Sequence, residues 1–396
     1  MEKIRSFNDN IDIKNKRVIL RSDFNVPIIN DVIQDKTRIN LSIPFIKNLL
    51  KKQAKVLLIS HLGRPKSDQD SNFSLKPVYE YLKKKIENKV YFFSEKITNK
   101  TKDKLSFIKN GEIIFFENIR LNEGEIKNDE NLAKDLSSLC EVYINDAFSC
   151  AHRKQTSIHK ITEYVKNSYA GPLFMKEIHS IDMVLNNKKS PTTCIIGGSK
   201  ISTKLGVINS LINKVDNLII VGAMANNFIK FKGNKVGKSL VESGSEKIVQ
   251  KIYNNLDSGN CKIITPFDFA VSSSTDGEAT LKDLNEVSEN EIILDIGPKT
   301  IERISNIIDI SKTVLWNGPA GYFENQNFSN GTISLAKKIS NITSKNSLIS
   351  IVGGGDTISC IKNNKLDVNF THLSTAGGAF LEYIEGKNLP GIEVLK

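Results

Sequence analysis

The sequence predicts an α/β protein of two parallel-sheet domains joined by a helix. Short β-branched runs alternate with stretches of helical spacing, these runs fall into two separate series, and a helical stretch fills the gap between the series. The first series is 17–20, 55–59, 89–93, 112–116 and 141–144. Near-continuous apolar runs of this length suit strands covered on both faces, hence a parallel sheet. The segments between them carry helical spacing, as in Ile39, Ser42, Ile43, Ile46, Leu49 and Leu50. Parallel strands need such crossovers.

Between about 155 and 191 the strand runs stop, and Ala170-Gly171-Pro172-Leu173 leads into a helical stretch at 174–185. This places a first domain at 1–170, an interdomain helix or hinge at 171–190 and a second domain at 191–379. The second series is 192–196, 217–221, 262–265, 291–294, 313–316 and 348–352, read as a second parallel sheet. No Ser/Gly-rich linker, low-complexity tract or short-period repeat interrupts the chain.

The 396 residues are 39% hydrophobic, enough for a core in each of two domains, and carry a formal charge of +11. A basic balance points to nucleic acid, an anionic membrane or small acidic substrates, and the placement of the cations decides between them. Lys51-Lys52 and Lys83-Lys84-Lys85 lie on helical stretches and read as solvated faces. Aromatic residues are only 7%, and the arginines sit singly at strand ends, so a nucleic-acid surface is disfavoured. The cysteines Cys140, Cys150, Cys194, Cys261 and Cys360 are scattered and form no C-x-x-C pair. Reduced thiols and a cytoplasmic setting follow as the expectation, since residues 1–10 lack an apolar signal core and no run is long enough to span a membrane.

Ligands of open α/β sheets bind beyond the carboxyl ends of the strands, so the residues following each run carry the functional reading. In the first half, 17–20 is followed by Arg21, Asp23, Asn25 and Pro27; 55–59 by Ser60-His61-Leu62-Gly63-Arg64-Pro65; 112–116 by Glu117-Asn118-Ile119-Arg120; and 141–144 by Asn145-Asp146-Ala147-Phe148, then His152 and Arg153. Arg38 opens the next helix. Any one arginine reads best as a structural ion pair. So many cations at one sheet edge are costly unless an anion neutralises them, and Arg binds carboxylate or phosphate as a fork. The ligand inferred is small and multiply negative, with Asp23 and Asn25 suited to a substrate hydroxyl and to orienting the arginines.

The second half ends its strands in glycine: Gly197-Gly198-Ser199-Lys200 with Lys204 beyond, Gly222-Ala223-Met224-Ala225-Asn226, Asn317-Gly318-Pro319-Ala320-Gly321 before Phe323-Glu324, and Gly353-Gly354-Gly355-Asp356-Thr357. Glycine lets backbone N–H groups approach a phosphate, and a following helix N-terminus favours the anion. Asp356 suits Mg²⁺, Thr357 is a hydroxyl ligand or phosphate donor, and Glu324 suits a ribose hydroxyl. Gly233-Asn234-Lys235-Val236-Gly237-Lys238-Ser239 imitates a P-loop but has one residue too few between its glycines and no apolar strand before it. No G-x-G-x-x-G follows the first run, and no Ser-His-Asp or Cys-His nucleophile set is evident. An anion domain plus a nucleotide domain suggests phosphoryl transfer, which rests on positioning and charge neutralisation.

On these residues the chain resembles phosphoglycerate kinases over essentially its full length. The likeness runs through Arg21-Ser-Asp-Phe-Asn-Val-Pro27, Asp35-Lys-Thr-Arg38, Ser60-His-Leu-Gly-Arg-Pro65, Phe116-Glu-Asn-Ile-Arg120, Asn145-Asp-Ala-Phe148, Ala151-His-Arg153, Ala170-Gly-Pro-Leu173, Gly197-Gly-Ser-Lys-Ile-Ser-Thr-Lys204, Gly222-Ala-Met-Ala225, Trp316-Asn-Gly-Pro319, Gly353-Gly-Gly-Asp-Thr357 and Ser374-Thr-Ala-Gly-Gly-Ala379. The resemblance implies two Rossmann-like domains, with residues 380–396 returning to the first. It implies reversible transfer between 1,3-bisphosphoglycerate and ADP, giving 3-phosphoglycerate and ATP, by a monomer using Mg²⁺. It assigns 3-phosphoglycerate to Asp23, Phe24, Asn25, Arg38, His61, Leu62, Gly63, Arg64, Arg120 and Arg153. It assigns the nucleotide to Lys204, Asn317, Glu324, Gly353, Gly354, Gly355, Asp356 and Thr357, with Asp356 toward the metal. Arg38, Lys200, Gly377 and Gly378 would surround the travelling phosphoryl group. The chain departs from the family pattern at Ser149-Cys150, where Gly-Thr is usual, at Lys154-Gln155, where Ala-His is common, at Ala376, a frequent glycine, and at Phe380, a frequent serine. A regulator without catalysis is the rival reading, and the charged residues it would lack are all present.

Overall fold

The computed structural model describes residues 3–67, 70–186, 189–258, 261–366 and 368–396. The chain divides into two units, Met1–Ile178 with Asn388–Lys396, and His179–Lys387. The division falls inside the helix Pro172–Leu185.

In the first unit the strands are β1 Arg17–Arg21, the hairpin pair β2 Ile28–Ile29 and β3 Val32–Ile33, β4 Lys55–Ile59, β5 Val90–Phe93, β6 Ile113–Phe116, β7 Val142–Asn145 and β8 Ser168–Ala170. Six of them form a parallel sheet in the order β5-β6-β4-β1-β7-β8. Side chains alternate across a strand, so each run feeds two cores. Val18, Leu20, Val56 and Leu58 face one layer, where Ile39, Ile46, Leu49 and Leu50 of the helix Thr37–Lys51 cover them. Ile19, Leu57 and Ile59 face the other, against Leu132, Leu136 and Leu139. Each such buried side chain contributes about 1.5–3 kcal/mol. Chain order reverses between β1 and β7, and their carboxyl ends lie in register at Arg21 and Asn145. The segment Asn388–Lys396 belongs to this unit: Gly391 N donates to Ala151 O at 2.8 Å, and Arg5 N to Leu395 O at 2.7 Å. Residues 380–387 belong to the second unit, where Ser210 Oγ donates to Ile384 O.

The second unit contains β9 Thr192–Ile196, β10 Asn217–Ile220, β11 Lys262–Ile264, β12 Asp268–Ser272, β13 Thr280–Asp283, β14 Ile292–Ile296, β15 Thr313–Asn317, β16 Ile349–Gly353 and β17 His372–Leu373. The parallel sheet runs β11-β10-β9-β15-β16-β17. Ile195, Val314, Trp316 and Val352 pack there against Ile304, Ile308, Leu335 and Ile339. One expectation is corrected. The run at 291–294 is not in the parallel sheet but in β14, part of a separate antiparallel sheet ordered β13-β12-β14. A short β-branched run shows burial but not the direction of its partner, and β12, its actual partner, is hidden among polar residues. In the parallel sheet the chain order reverses at β9 and β15, whose ends align at Ile196 and Asn317.

Candidate functional sites

The first unit gathers its chemistry at the reversal point. Arg38 Nη1 stands 2.8 Å from Asp23 Oδ2 and donates to Asn25 O at 2.9 Å. Asp23 Oδ1 accepts from Asn25 N at 3.0 Å, and Ser149 Oγ donates to Asp23 Oδ2. Burial alone would raise the Asp23 carboxyl, but Arg38, His61 and the donors Ser149 and Asn25 N hold it below its ordinary value. Of these charges Arg38 is the one present at neutral pH. His61 is pushed well below its usual value by burial and then by Arg21. Arg21 is fully buried, and its Nη2 meets His61 Nδ1 at 3.3 Å. A guanidinium N–H can only donate, so Nδ1 is the acceptor and the ring proton sits on Nε2. His61 is therefore a neutral N–H donor rather than a cation.

Other residues act through the backbone. Asn25 Oδ1 accepts from Gly63 N at 2.8 Å. Gly63 has φ +54°, and a Cβ there would lie 2.2 Å from the Phe73 ring. Phe24 and Leu62 are buried; Phe24 stacks toward Phe115 at 5.8 Å, so neither side chain faces a ligand. Arg120 Nη1 donates to Gly63 O at 2.5 Å, and its pKa is lowered to about 10 by burial first and by Arg153 and Arg21, against the opposing pull of Cys150 and Glu125. Its Nη2 reaches Gln155 Oε1 at 3.5 Å. The guanidinium groups of Arg64 and Arg153 have no carboxylate partner among the described residues. The site thus carries uncompensated positive charge with a buried rear wall, the arrangement that attracts a small polyanion.

That rear wall was not assigned from sequence. Arg21 Nε donates to Ser157 Oγ at 3.0 Å, and Ser157 N and Oγ donate to Glu125 at 2.8 and 2.7 Å. Asn118 Oδ1 accepts from Leu62 N and from Arg120 N, both at 3.1 Å, tying the loops after β4 and β6 together. Asn118 stood in a matched motif; Glu125 and Ser157 offer no spacing signal.

In the second unit the glycines let strand ends touch. A Cβ on Gly197 would lie 2.2 Å from Pro319 O, and one on Gly318 (φ +98°) 2.2 Å from Gly197 O. Asn317 lies between Ile196 and Gly353 in register, and Lys204 Nζ donates to its Oδ1 at 2.6 Å. Burial lowers the Lys204 pKa, while Asp356 and Glu385 oppose the shift. Gly354 (φ +101°) caps the helix Gly355–Asn363, which presents exposed Gly355 and Asp356 in its first turn. Thr357 is buried instead, its Oγ1 accepting from Gly318 N at 2.9 Å. Gly377 (φ +57°) and Gly378 open the helix Gly378–Ile384 and are exposed. Phe380 lies beneath the glycine loop: a Cβ on Gly353 would come within 2.6 Å of its ring. Lys200 is exposed near Glu242, whose carboxyl is held down first by Ser202 and then by Lys200.

Beside these residues lies a cavity of about 360 Å³. Ala223, Leu240, Phe269, Leu294 and Tyr322 give it apolar walls, and Glu324 and Asp356 lie on its lining. Size and lining suit a nucleoside with its phosphates toward the glycines. The exposed Asp356 carboxylate suits Mg²⁺, which is held by one or two carboxylates together with substrate phosphates. No group of three or more His, Cys, Asp or Glu forms a metal cage among the described residues. No described helix is long and apolar enough to cross a membrane.

An arginine-rich anion site in one α/β unit and a glycine-lined cavity in another are the parts of a two-substrate phosphotransferase. The family model for phosphoglycerate kinase matches residues 8–387. The phosphoglycerate kinase of Wolbachia sp. subsp. Drosophila simulans (strain wRi) is 43% identical over 390 residues, 98% of each chain. That of Orientia tsutsugamushi (strain Ikeda) is 44% identical over 398 residues, covering 100% of this chain and 98% of its own. Among solved structures, the phosphoglycerate kinase from Coxiella burnetii superposes with a TM-score of 0.90 at 37% identity over 99% of both chains. That from Pyrococcus horikoshii OT3 gives 0.83 at 29%, covering 98% of this chain and 97% of its own. The chain belongs to the phosphoglycerate kinase family. Its family-level activity is phosphoryl transfer between 1,3-bisphosphoglycerate and ADP, with 3-phosphoglycerate and ATP as the other pair.

Proposed function

We propose that the first unit holds 3-phosphoglycerate on Asp23, Asn25, Arg38, His61, Arg64, Arg120 and Arg153, and that the second holds ADP or ATP on Lys204, Asn317, Glu324, Gly353–Gly355, Asp356 and Thr357. The observation that carries this reading is the Asp23–Arg38 pair at 2.8 Å, set beside arginines without a carboxylate partner among the described residues. Asp23 fixes the Arg38 guanidinium beside them. The neutral His61 offers Nε2–H to a substrate oxygen. Phe24, Leu62 and Gly63 contribute loop backbone. Thr357 acts indirectly, by fixing Gly318 N.

Transfer is direct and in line, with no protein nucleophile. Arg38, Lys200 and the N–H groups at Gly377 and Gly378 spread the charge developing on the transferred group. Mg²⁺, held by Asp356 and the nucleotide phosphates, supplies further charge neutralisation when bound. The two ligand sets belong to different units, and reacting atoms must approach to about 3–3.5 Å. Bending within 171–190 brings them together and excludes water. The chain works as a monomer on small-molecule substrates. The test is a coupled assay of ATP-dependent 1,3-bisphosphoglycerate formation with and without Mg²⁺. Metal-dependent turnover is expected; turnover unchanged by chelation, or none, overturns the reading.

A further inference from the structure

We infer that Ser149 is a positioning residue for the Asp23–Arg38 pair, its hydroxyl locking the Asp23 carboxylate in the orientation that holds Arg38 toward the reacting phosphoryl group. The inference rests on the site reading above and adds a residue which that reading does not include.

The carboxylate of Asp23 is a junction. Oδ1 accepts from Asn25 N at 3.0 Å, and Oδ2 takes both Arg38 Nη1 at 2.8 Å and the Ser149 hydroxyl. Asn25 N comes from the same loop, two residues on, and allows the carboxylate to rock with that loop. Ser149 comes from a different element, the 3₁₀ turn Phe148–Cys150 after β7. That turn is itself fixed, with Cys150 N bonded to Ala147 O at 3.0 Å and Ala151 N to Phe148 O at 2.9 Å. Ser149 thus references Asp23, at the end of β1, to the neighbouring strand end across the reversal point of the sheet. A hydroxyl has one proton. Spent on Asp23, it makes Ser149 a donor with no freedom to turn to the ligand.

The groups facing Asp23 are Arg38 from the helix Thr37–Lys51, His61 from the loop after β4, and Ser149 from the turn after β7. Behind them lie Cys150, within 3.7–3.8 Å of both His61 nitrogens, and Arg21. His61 is neutral near pH 7 and Cys150 is pushed up by burial, so neither replaces the hydroxyl as an ionic partner. Asp23 is only 11% exposed, and burial favours its protonated form. Losing one donor therefore raises its pKa and frees Arg38 on the acid side.

The experiment compares Ser149→Ala and Ser149→Thr in the full chain, with Asp23→Asn and Arg38→Ala alongside, by steady-state kinetics across pH and by thermal melting. Ser149→Ala is expected to lower kcat/KM for 3-phosphoglycerate about tenfold, the scale of one hydrogen bond to a charged group. The acid limb of its pH profile moves to higher pH, and Ser149→Thr restores both. A wild-type acid limb in Ser149→Ala overturns the inference, as does a loss that threonine fails to restore. Asp23→Asn and Arg38→Ala at full rate would instead overturn the underlying site reading.

Discussion

Arg38 and Lys200 differ in how firmly they are held, and the difference sets what their removal should do. Arg38 is anchored by Asp23 and Asn25 O, whereas Lys200 is exposed on the loop after β9. Arg38→Ala and Lys200→Ala should each lower kcat by orders of magnitude, since removing one group that stabilises transition-state charge costs about 2.7–4 kcal/mol. Steady-state assays of purified variants check this, and a near-normal kcat removes that residue from the mechanism. Arg38→Ala should also raise KM for 3-phosphoglycerate, because it unpairs Asp23 beside the substrate. At this scale the sequence was informative wherever charge followed a strand. Asp23, Arg38, His61 and Arg120 could be singled out because so many polar and charged side chains following successive strands have few bland explanations. Ser149, Ser157 and Glu125 were not, since a serine hydroxyl or a buried glutamate acquires meaning only from the partner that the fold brings to it.

Among the elements, the buried aspartate Asp146 at a loop–helix junction shows how a fold stores a pH response. Asp146 Oδ1 accepts from Leu173 N at 2.7 Å and Phe174 N at 3.1 Å, in the first turn of the helix Pro172–Leu185. Burial raises its carboxyl to about 7, against the opposing pull of those two bonds. Its folded value lies above the unfolded one, so its stabilising contribution is complete below the unfolded value of 3.8 and fades as pH rises through about 7. Asp146→Asn keeps an acceptor for the helix and removes the titration. Its melting temperature should therefore gain on the parent protein between pH 5.5 and pH 8.5; a difference independent of pH would refute the assignment. A second prediction concerns the touching ends of β9 and β15. Gly197→Ala places a methyl 2.2 Å from Pro319 O, backbone that no rotamer change can relieve. It should cost about 1–3 kcal/mol as an overpacked site and weaken Mg-ADP binding, read by melting and calorimetry. The parallel strands were legible because their apolar runs are nearly continuous. The antiparallel sheet was missed because β12 holds only three apolar residues in a row and β13 only one, and β8 and β17 are too short to register as runs.

For the whole molecule, the proposal of transfer between two units makes a hydrodynamic prediction. Small-angle scattering should show a smaller radius of gyration with 3-phosphoglycerate and a nonreactive Mg-nucleotide together than with either alone. Equal values in all states would remove bending within 171–190 from the mechanism. The two-unit layout was legible from the gap between the strand series, but the helix that fills it contributes residues to both units, so no boundary could be read from composition. A return of residues 380–396 to the first unit was expected only through family resemblance, and the part that belongs to that unit is Asn388–Lys396, which carries no periodic signal of its own.

Arg5 and Ala151 both wait for that element. The contacts of Arg5 with Leu395 and of Ala151 with Gly391 tie the first unit to residues that follow the whole of the second unit in sequence. A chain cut before residue 388 would lose both bonds while keeping all of His179–Lys387, so the loss of stability should fall on the first unit.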